Sequence, residues 1–221
     1  MYRCSLLVLL AYSTLSNAQS LEVSLNLQSG ISYASIDNIV YEDASVSSAL
    51  AFRGGIEGTY FFNDIWGARI GGSLLTTHYH EVDEAYSLSE DGVEVPAITS
   101  AKIPTYYLSM PTQAVYKIPL KNIDIKLAAG MQYHFYLGSK DNALQKVQQY
   151  PWYKKSYLSG NFGLAFSKSL NDKFSLSLGF TTEMPFTNFL EANDGIAQLN
   201  SQSRLWQVFI PLKFTCLFKK N

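Results

Sequence analysis

Apolar and polar positions alternate along this chain in eight separate runs. In the first, about 21–33, Leu21, Val23, Leu25, Leu27, Ile31 and Tyr33 share one parity, and Glu22, Ser24, Asn26 and Gln28 share the other. The second, about 50–61, sets Leu50, Phe52, Ile56 and Tyr60 against Arg53 and Glu57. The third begins at Trp66 and sets Ala68, Ile70 and Leu74 against Arg69, Gly71 and Ser73. In the fourth, Tyr106, Leu108, Met110, Ala114, Tyr116 and Ile118 oppose Tyr107, Ser109, Gln113 and Lys117. The fifth is the cleanest: Ile123, Ile125, Leu127, Ala129, Met131, Tyr133 and Phe135 against Asp124, Lys126, Gly130, Gln132 and His134. The last three place Leu158, Phe162 and Phe166, then Phe174, Leu178 and Phe180, then Trp206, Ile210, Leu212, Phe214 and Phe218 on their apolar faces. Glu183 in the seventh and Lys213 in the eighth lie on the polar faces. A repeat of two is the mark of a strand with two unlike faces.

The connections sharpen the picture. Tight ones at 62–65, 119–122 and 170–173 alternate with long ones near 81–104, 139–155 and 187–203. One face of the runs is bulky and the other is mostly Ser, Gly, Asn, Gln and Ala. Eight strands closed into a barrel enclose a narrow interior that side chains fill, so the small polar face belongs inside. Tyr60, Trp66, Tyr116, Phe174, Phe214 and Phe218 gather beside the short turns, as an aromatic girdle at a membrane interface does. The predicted fold is therefore all-β: an eight-stranded antiparallel up-and-down transmembrane β-barrel with short periplasmic turns and longer extracellular loops. Both mature termini then lie on the periplasmic side. The competing reading is a soluble lipocalin-like barrel with the apolar face turned inward around a ligand. Pro111 and Pro211 fall inside predicted strands, where a missing N–H breaks a ladder bond, and local bulges are expected there.

The amino end adds a compartment. Met1-Tyr2-Arg3 is a short basic start, residues 6–11 are apolar, and Ser16-Asn17-Ala18 offers small residues for cleavage. Residues 1–18 are expected to be a secretory signal and 19–221 the barrel domain. Cys4 precedes the apolar run, which is the wrong order for a lipoprotein, and Cys216 is the only other cysteine, so no disulfide is expected within the mature chain. Charged residues are 16% of the chain and its formal net charge is -1, which gives no electrostatic case for nucleic acid.

The inward charges are the leading candidate site. Counting back from the tight turns sets Glu57 opposite Arg69 and Lys117 opposite Asp124, with Arg53, Glu183 and Lys213 as further lumen charges. Paired charges of this kind serve as a polar core or as a gate, and the core is the expected role. His78 and His80 share one face, but no cysteine or third histidine stands nearby in sequence, so neither a metal nor a cofactor is expected. Ser73 and Ser109 have inward parity and no evident base, so no catalytic constellation is expected. In the loops, Glu90 and Asp91 mark an acidic stretch, and Tyr150, Trp152, Tyr153 and Lys154 a basic aromatic one; both are candidate contacts for a partner.

Tyr107-Leu108-Ser109-Met110-Pro111, with Val115-Tyr116-Lys117, resembles a segment of the small outer-membrane barrels of Bacteroidota, the porin family or PorT-like proteins. Ile210-Pro211-Leu212-Lys213-Phe214 and the Asn17-Ala18-Gln19 leader end are similar to that family too. The resemblance implies an integral outer-membrane protein, in contact with membrane lipid, and for some members an accessory role in type IX secretion. The expected function is a monomeric, non-enzymatic barrel that is structural or binds an envelope partner through its loops. A small-solute channel is the alternative.

Overall fold

The computed structural model describes residues 20–37, 47–88, 94–140, 147–148, 154–188 and 202–219. The expected signal segment lies outside them. Among the described residues nine strands follow in chain order: β1 Ser20–Asp37, β2 Ser47–Phe61, β3 Trp66–Leu88, β4 Glu94–Pro119, β5 Asp124–Lys140, β6 Val147–Gln148, β7 Ser156–Ser169, β8 Phe174–Pro185 and β9 Gln202–Lys219. The sheet runs β4-β3-β2-β1-β9-β8-β7-β5, and a β4–β5 pairing closes it into an eight-stranded, up-and-down antiparallel barrel. The two-residue β6 pairs only with Ser139 and Lys140 and stands outside the wall.

Local chemistry sets the short turns. Asn63 Oδ1 accepts from the backbone N–H of Ile65 at 2.9 Å and of Trp66 at 2.7 Å. Asn171 Oδ1 does the same for Lys173 and Phe174, each at 2.9 Å. These are Asx turns, in which the side chain mimics a backbone acceptor. Ser20 pairs with Phe61 on one side and Lys219 on the other, so both ends of the described barrel lie at the short-turn rim.

The faces are inverted relative to a soluble protein. Leu27, Ile56, Ile70, Leu74, Met131, Phe162 and Leu178 point outward, Ile56 at 61% exposure, while the buried positions are mostly Ser, Thr, Asn, Gln and charged residues. This rules out the lipocalin-like alternative, whose apolar face would be the buried one. Ring pairs Trp66–Tyr116 at 4.8 Å and Phe174–Phe214 at 5.4 Å sit beside the turns, where the girdle was expected.

Two expectations about the strands need correction. No bulge forms at Pro111 or Pro211. The β3–β4 register is the same at Ile70↔Thr112 and Ser73↔Ser109, which sets Pro111 opposite Gly71. The β8–β9 register likewise continues from Leu178↔Leu212 to Thr181↔Phe209, which sets Pro211 opposite Gly179. Each proline keeps its other ladder, to Gln132 and Gln28. The missing N–H thus costs a local ladder gap facing a glycine, and the strand need not buckle. The one register shift of the β4–β5 ladder falls instead at Tyr106/Tyr107, where Gly138 takes a φ of 150° that side chains rarely adopt.

The second correction concerns the acidic stretch read as a loop at 81–104. Most of it is strand. Pairing between β3 and β4 continues from His78↔Pro104 to Leu88↔Glu94, although β2 leaves β3 at Thr77 and β5 leaves β4 at Thr105. At roughly 3.3 Å per residue, this two-stranded ribbon runs about 35 Å beyond the last rungs that β3 and β4 share with β2 and β5.

Candidate functional site

The lumen is filled in three layers. Toward the short turns, Phe61, Val115 and Ala128 pack together, with Lys117 Nζ 4.6 Å from the Phe61 ring centre. Toward the long loops, Ala51, Leu75, Tyr107, Tyr136, Tyr157, Leu205 and Phe209 form a second buried cluster. Most of a charged network lies between them, and its lowest pair reaches the level of the Phe61 layer.

Its upper part centres on Glu183. Arg53 from β2 forks onto both carboxylate oxygens, Nη1 to Oε1 and Nη2 to Oε2, the latter at 2.9 Å, and stacks its guanidinium 4.4 Å from the Phe209 ring. Asn161 donates to Glu183 at 3.0 Å. In the orientation that satisfies both its atoms, the Gln132 amide accepts from Arg53 at 3.1 and 3.2 Å and donates to Glu183 at 3.0 Å. His134 lies against the same carboxylate at 3.5 Å, bonds Ser109 through Nδ1 at 2.8 Å and Ser159 through Nε2 at 3.0 Å, and stacks on Tyr157 at 4.2 Å. A carboxylate and a guanidinium held this way satisfy most of each other's bonding capacity, which a buried ion pair requires.

The middle part centres on Glu57. Lys213 from β9 donates to Oε2, and Asn26 from β1 donates to Oε1 at 2.6 Å. Arg69 is farther, at 3.7 Å, and spends its hydrogen bonds on Thr59 at 3.0 Å and Gln113 at 3.3 Å. Below these, Lys126 on β5 reaches across the lumen to Glu22 on β1, at 2.9 and 2.6 Å.

Comparison with known proteins fits an outer-membrane β-barrel. The sequence matches the outer membrane protein beta-barrel domain family over residues 4–203. The chain belongs to that family. No curated protein sequence matches it. Among solved structures, the outer membrane protein OprG from Pseudomonas aeruginosa is similar, with a TM-score of 0.54 at 11% identity over 92% of this chain and 98% of that one. Neisserial surface protein A matches at a TM-score of 0.46, with 9% identity over 86% and 95% of the two chains. Ail of Yersinia pestis matches at 0.36, with 12% identity over 88% and 97%. At these identities the likeness to OprG shows the fold and nothing finer.

Within this outer-membrane barrel, the sequence-derived site is partly brought together. Arg53 and Glu183 pair, and Lys213 and Glu57 pair. Glu57 does meet Arg69, but not as directly opposed residues: Arg69 pairs with Thr59, and Glu57 with Gly71. The turn takes up two more residues than expected, because Phe62 N–H bonds Trp66 C=O at 2.9 Å. A shift of two keeps every side chain on its face. The same shift defeats the second expected pair. Lys117 lies opposite Lys126, and Asp124 opposite Pro119. Lys117 and Asp124 are both half-buried at the turn end, and no ion pair joins them.

Glu22 and Lys126 form the ion pair that neighbour-by-neighbour reasoning missed. Both carry inward parity close to the short-turn rim, and that was the available signal. Ser109, expected to lack a base, has one in His134. A serine, histidine and glutamate in series resemble an activated nucleophile. Here Ser109 and His134 are wholly buried and Glu183 nearly so, beneath the rings of Tyr107 and Tyr157. No substrate reaches Ser109 without unpacking that layer. His78 bonds the Leu50 carbonyl at 3.1 Å on the outer side, far in character from buried His134. Among the described residues no group of His, Cys, Asp and Glu is placed to hold a metal. Glu90, Asp91, Tyr150, Trp152 and Tyr153 lie outside the described residues, and Lys154 is half-buried beside β7.

Proposed function

We propose that this outer-membrane barrel is a non-enzymatic scaffold that presents its β3–β4 ribbon and long loops to a partner outside the membrane. The leader at 1–18 directs export, and the termini and short turns face the periplasm. The observation that carries this reading is the lumen. Two packed apolar layers bracket a bonded charge network, so the interior holds the wall together and offers little room for a solute. This favours the scaffold over a small-solute channel. The ribbon gives the protein its reach, since it leaves the wall and carries Glu81, Asp83, Glu84 and Glu94 in its paired strands. An envelope or secretion-complex protein is the kind of partner proposed. The resemblance of Tyr107–Pro111 to PorT-like barrels of Bacteroidota supports an accessory role there.

Site-specific photocrosslinking in intact cells tests the reading. A crosslinking residue at Ala97 in the ribbon should give a discrete protein adduct, whereas one at lipid-facing Ile56 should give none. Equal labelling at both positions, or no adduct from any position in the ribbon and loops, would contradict the partner-binding role.

A further inference from the structure

The buried charges of the lumen do not balance. Among the described residues, four cations are buried there, Arg53, Arg69, Lys126 and Lys213, against three carboxylates, Glu22, Glu57 and Glu183. Half-buried Lys117 and Asp124 at the turn end add one charge of each sign. The excess can be placed. Glu183 takes Arg53 and Glu22 takes Lys126, which leaves Glu57 shared between Lys213 and Arg69. Arg69 is the buried cation with no carboxylate at hydrogen-bond distance. Its bonds go to the neutral oxygens of Thr59 and Gln113. An uncompensated charge inside a protein costs several kcal/mol.

A space lies beside this excess. A cavity of about 30 Å³ is lined by Arg53, Arg69, Lys126, Lys213, Glu57 and Gln113, among others. About 10–15 Å³ is enough to seat one water, and this cavity exceeds that by enough for the somewhat larger halide ions. Arg53 Nε is buried and has no hydrogen-bond partner. A donor left unsatisfied in the interior points to a missing water or ion. Glu57 is the one anion on the cavity wall, and Lys213 and Asn26 already occupy both its oxygens.

We propose that this cavity binds one monatomic anion, chloride under ordinary saline conditions, which neutralises the excess charge of the Arg69–Lys213 pair. The ion enters as the barrel closes around it. Binding to the folded state alone makes the folding equilibrium constant rise in proportion to ligand above its dissociation constant.

Equilibrium unfolding in lipid vesicles, with chloride exchanged for gluconate at constant ionic strength, should therefore show a folding constant that rises by close to tenfold for each tenfold rise in chloride. Arg69→Gln removes the excess charge and should make that dependence flat. Crystals of protein refolded in bromide should show one anomalous peak in the cavity. The bromide map needs no variant, and it decides where the measurements disagree. A cavity without bromide would overturn the proposal. A chloride dependence that survives in Arg69→Gln would overturn it too.

Discussion

Glu57 is held from three strands at once, by Asn26, Lys213 and, more loosely, Arg69. Its removal leaves two buried cations facing no counter-charge. Glu57→Ala should lower unfolding free energy in lipid vesicles by about 3–5 kcal/mol, the usual cost of breaking a buried pair by deleting one partner. A loss below 1 kcal/mol would mean the lumen is wet. The contrast with Lys117 and Asp124 is equally testable. A double-mutant cycle on Arg53 and Glu183 should give a coupling of about 1–3 kcal/mol, and one on Lys117 and Asp124 a coupling near zero. Parity made the inward residues legible in the sequence, because the alternation of Glu22, Lys126 and Glu183 with bulky neighbours fixes their side of the wall. Partner choice was not legible. It depends on turn register and on contacts across the lumen, such as Glu22 with Lys126, that no local spacing encodes.

At the level of the strand, close approach decides which positions tolerate change. A Cβ on Gly30 would lie 1.9 Å from the Val208 carbonyl oxygen of β9, a backbone atom that cannot swing away. Gly72, on the lipid face, has open space around the same position. Gly30→Ala should therefore cost about 1–3 kcal/mol, in the range of an overpacked interior. Gly72→Ala should stay within about 0.5 kcal/mol, as surface changes do. Urea titrations of the two variants side by side check this. The ribbon makes the opposite prediction. Since β2 and β5 leave β3 and β4 before it starts, replacing residues 81–101 with an Asn-Gly turn should leave heat-modifiable gel mobility unchanged. Loss of the folded band would show that the ribbon supports the wall. The sequence hid this element because Glu84 breaks the two-residue period among Val82, Tyr86 and Leu88, and the neighbouring acidic residues read as loop.

For the whole molecule, the inverted distribution of side chains is the governing fact. Leu25, Ile56, Ile70 and Phe162 face outward, and Asn26, Gln132, His134 and Glu183 are enclosed. That arrangement is stable only where hydrocarbon surrounds the wall, and closure pairs the wall strands on both sides, as the bilayer demands. The eight runs, the short turns and the orientation of the faces were all legible from alternation and connection length. How full the lumen is was not, because small polar residues fit equally well around water or around each other. That point separates a scaffold from a pore. Single-channel recording of the purified monomer in a planar lipid bilayer tests it most directly. The packed layers of Phe61 and of Tyr107, Tyr157 and Phe209 predict a silent membrane after insertion is confirmed by heat-modifiable mobility. A stable, protein-dependent ionic conductance would contradict the filled barrel and the scaffold role built on it.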